Sequence, residues 1–534
     1  MKKTNLFTTL VVIFTFWMGG FSIATAQRVS AKWEANFNKE LQDMSIYDYF
    51  LGEDESSYYL LNRKIVMFKP MKYSVIKYDK KSLQPKGTKM QDDAKYKYFI
   101  YDVYRILGKT FLYGKDFGGK YRIFEFNLAD QTISPMENIF SIELTSSGFQ
   151  HTISPDSSNI LFIARKKADG KSDTDNFQLL LLDAKFNKIW EKEVSTPFIN
   201  ASSFALDNDR NIYIAGKAYE SGTKRNSTDR ASYECAILKL SGDNLAKQQF
   251  KVNMDNKLYQ KCEIFLDKKN TLFAVGFYSD KSNISETGGF YFSLDKEFST
   301  AQNLSYNPIK LEHLKLNHDR TVAKKIENNY SDYRYAGFNF NQVLYADNGD
   351  VVICFEDGSD DVSTSPVYNT TMRQGGGTEQ TMTTKTSTTE HSYYWDAYIF
   401  RANTETGLTW MKRVPKFQKS SDRDKMAYTP RNGDFLSYKA FLSGDNVVLF
   451  FMDSPRNAGL NESSEKISIA WNVMVQPMSV VLDKEGVQKR QLVNIGNGEL
   501  VPEVLKSVPV SNTKAFISER KGKKCKVGVI SVDK

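Results

Sequence analysis

The fold this sequence predicts is all-β: a single β-propeller of seven or eight four-stranded blades, carrying one short helical insertion and one long hairpin or loop insertion. Three observations predict it. A polar turn leading into an apolar strand recurs, as Leu206-Asp-Asn-Asp-Arg-Asn-Ile-Tyr-Ile-Ala-Gly216, Leu266-Asp-Lys-Lys-Asn-Thr-Leu-Phe-Ala-Val-Gly276 and Tyr345-Ala-Asp-Asn-Gly-Asp-Val-Val-Ile-Cys-Phe355. A second phrase, an apolar strand closing on a polar turn, recurs at a spacing of about fifty residues, which is roughly one four-stranded blade. Helical periodicity is nearly absent, which excludes a helical solenoid.

The closing phrase occurs eight times. Its copies begin at Tyr73, Tyr121, Gln178, Cys235, Gly289, Asp396, Met478 and Val527. Eight closings give eight blades if each ends its own blade. They give seven if the first and last partial units merge. One small sheet cannot bury both its faces, so the blades must stack around an axis and close into a ring. The Asp, Asn and Gly of the turns suit the tight backbone of hairpins.

The bulk numbers agree. Of the residues, 13% are aromatic and 41% hydrophobic, which suits strands and a packed core and excludes a disordered chain. Residues 1–26 read as a secretory leader: Lys2 and Lys3, an apolar stretch from Leu10 to Phe21, and the small-residue site Ala24-Thr-Ala26, so that the mature chain starts at Gln27. No Cys follows the apolar stretch, which leaves a lipoprotein anchor unsupported, and no later segment is apolar enough to span a bilayer. Losing Lys2 and Lys3 takes the net charge from +9 to +7, too mild over this length for a dedicated nucleic-acid binder. The expected location is therefore exported: periplasmic, outer-membrane-associated or secreted. Residues 27–534 form the propeller.

Two insertions break the rhythm. Residues 308–329 begin with Pro308 and carry apolar residues at helical spacing, so a helix is expected there. Residues 358–395 include Gln374-Gly-Gly-Gly-Thr378 and a Thr-rich run, which read either as a projecting hairpin arm or as a flexible loop. This insertion ends in Tyr393, Tyr394 and Trp395, which are candidate contact residues or else pack on the blade. The densest basic run, Arg520, Lys521, Lys523 and Lys524, falls where the last hairpin should turn. It is either a solvated turn or a contact for an acidic partner.

No catalytic constellation emerges, and no metal or cofactor site. Gly114 to Lys120 has the spacing of a phosphate loop, but Tyr121 stands where Ser or Thr is required, so a hairpin turn is expected. Asp207-Asn-Asp209 opens like a calcium loop without its central Gly or closing Glu, and reads as a turn. Ala402 to Trp410 loosely resembles the Asp-box of sialidase-like propellers and the Trp-closed turn of quinone-dependent dehydrogenases. It reads as a hairpin with Trp410, like Trp190, wedged between blades. His151, His313, His318 and His391 have no partners at triad or zinc spacing. Cys235, Cys262, Cys354 and Cys525 form no C-x-x-C pair. Cys235 and Cys262 fall in successive repeats and could bridge, and Cys354 reads as a buried thiol.

The leader, the short blades, the polar helix before Gln342, the arm ending in Tyr393-Tyr-Trp-Asp396 and the segment Phe451-Met-Asp-Ser-Pro-Arg-Asn457 together resemble exported β-propeller proteins common in Bacteroidetes. The resemblance spans nearly the whole mature chain. It implies fold and export, and it brings no catalytic residues with it. The functional expectation is a non-catalytic protein- or glycan-binding module or scaffold of the bacterial envelope. Its alternative is a glycan-active propeller enzyme using carboxylates around the central channel. A third reading has the Thr-rich arm adding a strand to a partner's sheet.

Overall fold

In the computed structural model the described residues are 29–34, 45–64, 72–91, 98–116, 120–136, 149–166, 175–219, 233–255, 257–280, 287–316, 338–371, 381–423, 435–464, 466–471, 475–495, 501–504, 507–521 and 524–533. They form eight sheets, each built around a four-stranded antiparallel blade. Blades 1 to 7 occupy residues 45–90, 98–135, 149–195, 198–252, 257–308, 338–414 and 438–492 in chain order. Blade 8 joins residues 501–532 to the strand Val29–Trp33, which pairs with Lys524–Val532 from Val29↔Val532 to Trp33↔Gly528. Of the seven or eight blades expected, eight are present. The unit that merges with the C-terminal repeat is one strand without a closing phrase, so no blade is lost. The leader and Cys525's side chain lie outside the described residues.

First strands of neighbouring blades touch one another and line the axis, while fourth strands such as Pro85–Met90 face solvent. Hydrophobic clusters sit in the seams between blades. One joins blades 4 and 5 through Ile237, Tyr278 and Phe292, and another joins blades 8 and 1 through Phe50, Tyr78 and Phe516. Every adjacent pair shares such a cluster, so the ring is closed by apolar packing as well as by the pairing of Val29–Trp33. Trp410 lies in the seam of blades 6 and 7 and donates its indole N–H to the Lys484 carbonyl at 2.9 Å. Trp190 packs in the seam of blades 3 and 4. Cys235 and Cys262 are buried thiols that hydrogen-bond to each other across the seam of blades 4 and 5, and Cys354 is buried beside Tyr438 in the seam of blades 6 and 7.

Blade 5 shows how tightly the strands within a blade pack. At Gly276 an added Cβ would collide with the Lys261 carbonyl oxygen and stand 2.8 Å from the Phe290 ring. Gly276→Ala is expected to destabilise the protein by about 2–3 kcal/mol. The measurement is the urea midpoint, and a midpoint equal to the parent's would refute the close approach.

The two ends of the ring differ. Antiparallel alternation places the first-to-second and third-to-fourth connections at one end, and these are short turns. The recurrent Asp seen in the sequence belongs to them. Asp183 Oδ1 accepts the N–H groups of Lys185 and Asn187, both at 2.8 Å, and Asp267 Oδ1 those of Lys269 and Thr271 at 2.9 and 2.8 Å. Asp207 likewise accepts the Asn211 N–H at 2.6 Å and the Tyr213 hydroxyl at 3.0 Å, so its oxygens serve its own turn. Neighbouring turns are also tied together, with Asp156 N–H bonded to Asn208 Oδ1 and Asn208 N–H to Asn270 Oδ1. The second-to-third and fourth-to-first connections, including both insertions, lie at the opposite end, here termed the loop face.

Candidate functional site

Blade 6 is the most elaborated unit of the loop face. Its second and third strands run on as Val351–Thr371 and Thr381–Asn403, paired from Val351↔Ala402 to Thr371↔Thr381. The Thr-rich insertion is therefore a hairpin arm, whose tip at 372–380 lies outside the described residues. Beyond Gly358 the arm continues for roughly 40 Å, at a strand rise near 3.3 Å per residue. The helix expected at 308–329 is present as Leu311–Leu316, and residues 317–329, with His318, lie outside the described residues.

The arm's root changes partner midway. From Ala397 to Asn403 the third strand pairs with Gly407–Val414, but from Thr389 to Tyr394 it pairs with Gln418–Arg423. That strand in turn pairs in parallel with Ala470–Trp471. A bulge between Glu356 and Gly358 twists the second strand at the same level.

The expected contact residues divide here. Alternation puts His391, Tyr393 and Trp395 on one side: the Tyr393 ring stacks on Trp395 at 5.7 Å, and the Lys419 ammonium lies 4.8 Å from Tyr393. His391 Nδ1 shares a hydrogen bond with Ser421 Oγ at 2.8 Å. Trp395 is buried at the blade, close to Phe417, whereas Tyr393 remains half-buried. Tyr394 points the other way and packs on the seam of blades 7 and 8. Arg520, Lys521 and Lys524 belong to the closing hairpin of blade 8, with Lys521↔Lys524 as its last pair, also on the loop face. Their side chains, and Lys523 altogether, lie outside the described residues.

Below the arm lies a buried network of charge that the sequence did not disclose. Asp396 Oδ2 accepts from Arg413 Nε, and its Oδ1 accepts the Lys416 N–H at 3.2 Å. The Lys416 ammonium pairs with Glu356 at 2.5 Å and donates to Gln418 Oε1 at 3.1 Å. Gln418 donates to the carbonyls of Ser437 and Met452, and Ser437 Oγ returns a bond to Glu356 at 2.6 Å. Arg490 pairs with Asp453 at 2.8 Å and donates to the Pro415 carbonyl. Arg413 also holds the carbonyls of Glu462 and Ser464, both at 3.1 Å, and Asn457 clasps Ser468 through two bonds of 2.8 Å. The network therefore ties loop 454–475 to the root of the arm.

Every ionised side chain in these pairs is nearly or fully buried. The carboxylates stand on second and third strands, away from the innermost ones, and each has a cationic partner. That is the geometry of a brace and not of carboxylates facing a reacting glycosidic bond around the axis. Asp357, in the bulge, accepts a backbone N–H from Gly358, and burial followed by the nearby Asp396 charge pushes its carboxyl up to about 7. Lys439, on the innermost strand of blade 7, is held down to about 8 by burial.

The ring and its one elaborated end define an eight-bladed β-propeller protein with a braced hairpin arm. Among solved structures the chain is similar to the β-propeller domain of the Trilobed protease from Pyrococcus furiosus, at 10% identity over 83% of this chain and 98% of that one, with a TM-score of 0.34. It is also similar to the polysaccharide lyase Uly1, at 8% identity over 91% and 90% of the two chains, with a TM-score of 0.37. A third similarity is to puromycin hydrolase, at 8% identity over 92% of this chain and 61% of that one, with a TM-score of 0.36. No protein-family model and no curated protein matches this chain.

Proposed function

We propose that this protein is a non-catalytic binding module or scaffold, exported to the bacterial envelope, that engages a protein partner through the hairpin arm of blade 6. One observation carries the reading: the arm is a rigidly rooted two-stranded ribbon with open edges. No third strand pairs with Ser359–Thr371 or with Thr381–Ser387 among the described residues. Edges of this kind template strand addition by an extended segment of another chain. The half-buried Tyr393 beside Lys419 offers a side-chain contact at the arm's foot. Export rests on the leader composition of residues 1–26.

The test is a chain in which residues 360–388 are replaced by a two-residue turn. The ring should fold with an unchanged far-UV spectrum, because the brace lies below the cut. Cross-linking and affinity purification of both chains from the native envelope should show the parent's principal partner missing from the shortened chain. Equal recovery of that partner by both chains would sink the proposal.

A further inference from the structure

A second surface on the loop face, in the seam of blades 2 and 3, has the makings of a ligand site. The first strand of blade 2, Tyr98–Ile106, carries a bulge: Ile100 faces Gly114 and Asp102 faces Tyr113, which leaves Tyr101 extra. Without it, alternation would send Tyr101 to the face opposite Asp102. The bulge brings both to one side. Equivalent bulges occur in the first strands of blades 1, 5 and 6, where the extra residues are Asp48, Gln260 and Asn341. Blade 2 has an aromatic residue in that place, and its side chain is 51% exposed.

Tyr101 is the outermost step of an aromatic series. Its ring lies 6.1 Å from Tyr121, which stacks on Tyr113 at 5.7 Å with an interplanar angle of 8°. Tyr113 meets Phe149 at 6.0 Å, and Phe149 meets Tyr104 at 4.6 Å. Tyr104 meets His151 edge-on at 5.6 Å. The buried members, Tyr113 and Phe149, fix the half-buried ones, Tyr121, Tyr104 and His151. The backbone is fixed too, since the Tyr49 hydroxyl donates to the Tyr101 carbonyl at 2.7 Å. Exposed Asp102 follows that ring in the chain, with its Oδ1 accepting the Val103 N–H at 2.8 Å. His151 is kept neutral by burial, which holds it down to about 4, so its imidazole offers one donor and one acceptor.

We infer that this ledge is a carbohydrate-binding site: the rings of Tyr101 and Tyr121 take the C–H face of a neutral pyranose, and Asp102, Tyr104 and His151 hydrogen-bond its hydroxyls. Fixed aromatic planes next to a few convergent polar groups are what a weakly hydrophobic, hydroxyl-rich ring requires. A carboxylate on the site favours neutral sugars over uronates by charge. The site lies on blades 2 and 3, whereas the proposed protein contact lies on blade 6, so the two stand or fall separately.

The probes are cellohexaose, maltohexaose, a β-1,4-mannose hexamer and an alginate hexamer, titrated calorimetrically into the full mature chain. At least one neutral hexamer should bind with a dissociation constant of about 0.1–1 mM. Tyr101→Ala should weaken it about tenfold or more, while Tyr101→Phe stays within about twofold, because the ring face and not the hydroxyl makes the contact. Asp102→Asn should weaken binding too. Tyr101 is exposed enough for truncation to leave the fold intact, and an unchanged thermal midpoint verifies that. The chain lacking residues 360–388 should bind the sugar as the parent does. The inference is overturned by a lack of binding of all three neutral hexamers up to about 10 mM, by Tyr101→Ala binding as well as the parent, or by preference for the alginate hexamer.

Discussion

Replacing Asp396 by Ala is expected to lower the unfolding free energy by about 3–5 kcal/mol. Asp396 is wholly buried and Arg413 nearly so. Removing the carboxylate leaves a guanidinium in the seam of blades 6 and 7 with only the Glu462 and Ser464 carbonyls to hold it. It also removes the acceptor of the Lys416 N–H, at the point where the chain crosses from Gly407–Val414 to Gln418–Arg423. Burying two ions is costly, so the pair itself need add little net stability. The loss arises because one ion is stranded. Guanidinium unfolding followed by tryptophan fluorescence measures it, since Trp395 and Trp410 flank the network. A loss below about 1 kcal/mol would show that Arg413 escapes to solvent and that the brace is loose. Asp396→Ala should also weaken partner capture through the arm, since the arm's root hangs on these bonds.

Asp357 is expected to contribute stability that falls as pH rises from about 4 to about 7. Its carboxyl is pushed up to about 7 in the folded protein, chiefly by burial. The unfolded value is near 3.9. The folded state therefore binds this proton more tightly than the unfolded state does. The contribution is complete below the unfolded value and disappears as pH climbs through the folded one. Three pH units correspond to roughly 4 kcal/mol as an upper bound. Asp357→Asn keeps the shape and removes the titration. It should match the parent near pH 4 and exceed it by about 2–4 kcal/mol at pH 8. Denaturation curves for both chains at pH 4, 6 and 8 decide the matter. A constant difference across the three would mean that Asp357 titrates as it does in water.

The strands were legible in the sequence because their code is local. The turn at Asp207 and the apolar run after it lie within one hairpin, and the same hydrogen bonds recur at Asp183 and Asp267. Trp410 could be assigned to a seam because a large apolar ring in a repeat has few other places to go. The blade number hung on one strand, Val29–Trp33. Its pairing with Lys524–Val532 spans almost the whole chain, and no local pattern specifies it. The arm was readable as an insertion, but a Thr-rich run suits a strand or a loop equally until its register is known.

The brace and the aromatic ledge were not legible. Asp396 meets Arg413 across a strand-to-strand turn, Glu356 meets Lys416 sixty residues on, and Arg490 reaches Asp453 from the outermost strand of the same blade. The one available signal was a charged residue abutting an apolar run, as Asp453 does after Val447–Met452. Nothing in the sequence singles out Tyr101, since a bulge is a matter of register between two strands. The sequence by itself determined the all-β repeat and its turns, because alternation and turn chemistry act over a few residues. Only the tertiary structure decided the closure at eight blades, the face on which the insertions gather, and the charges and rings that meet there. Those depend on contacts between residues far apart in the chain, and they form only once the ring has closed.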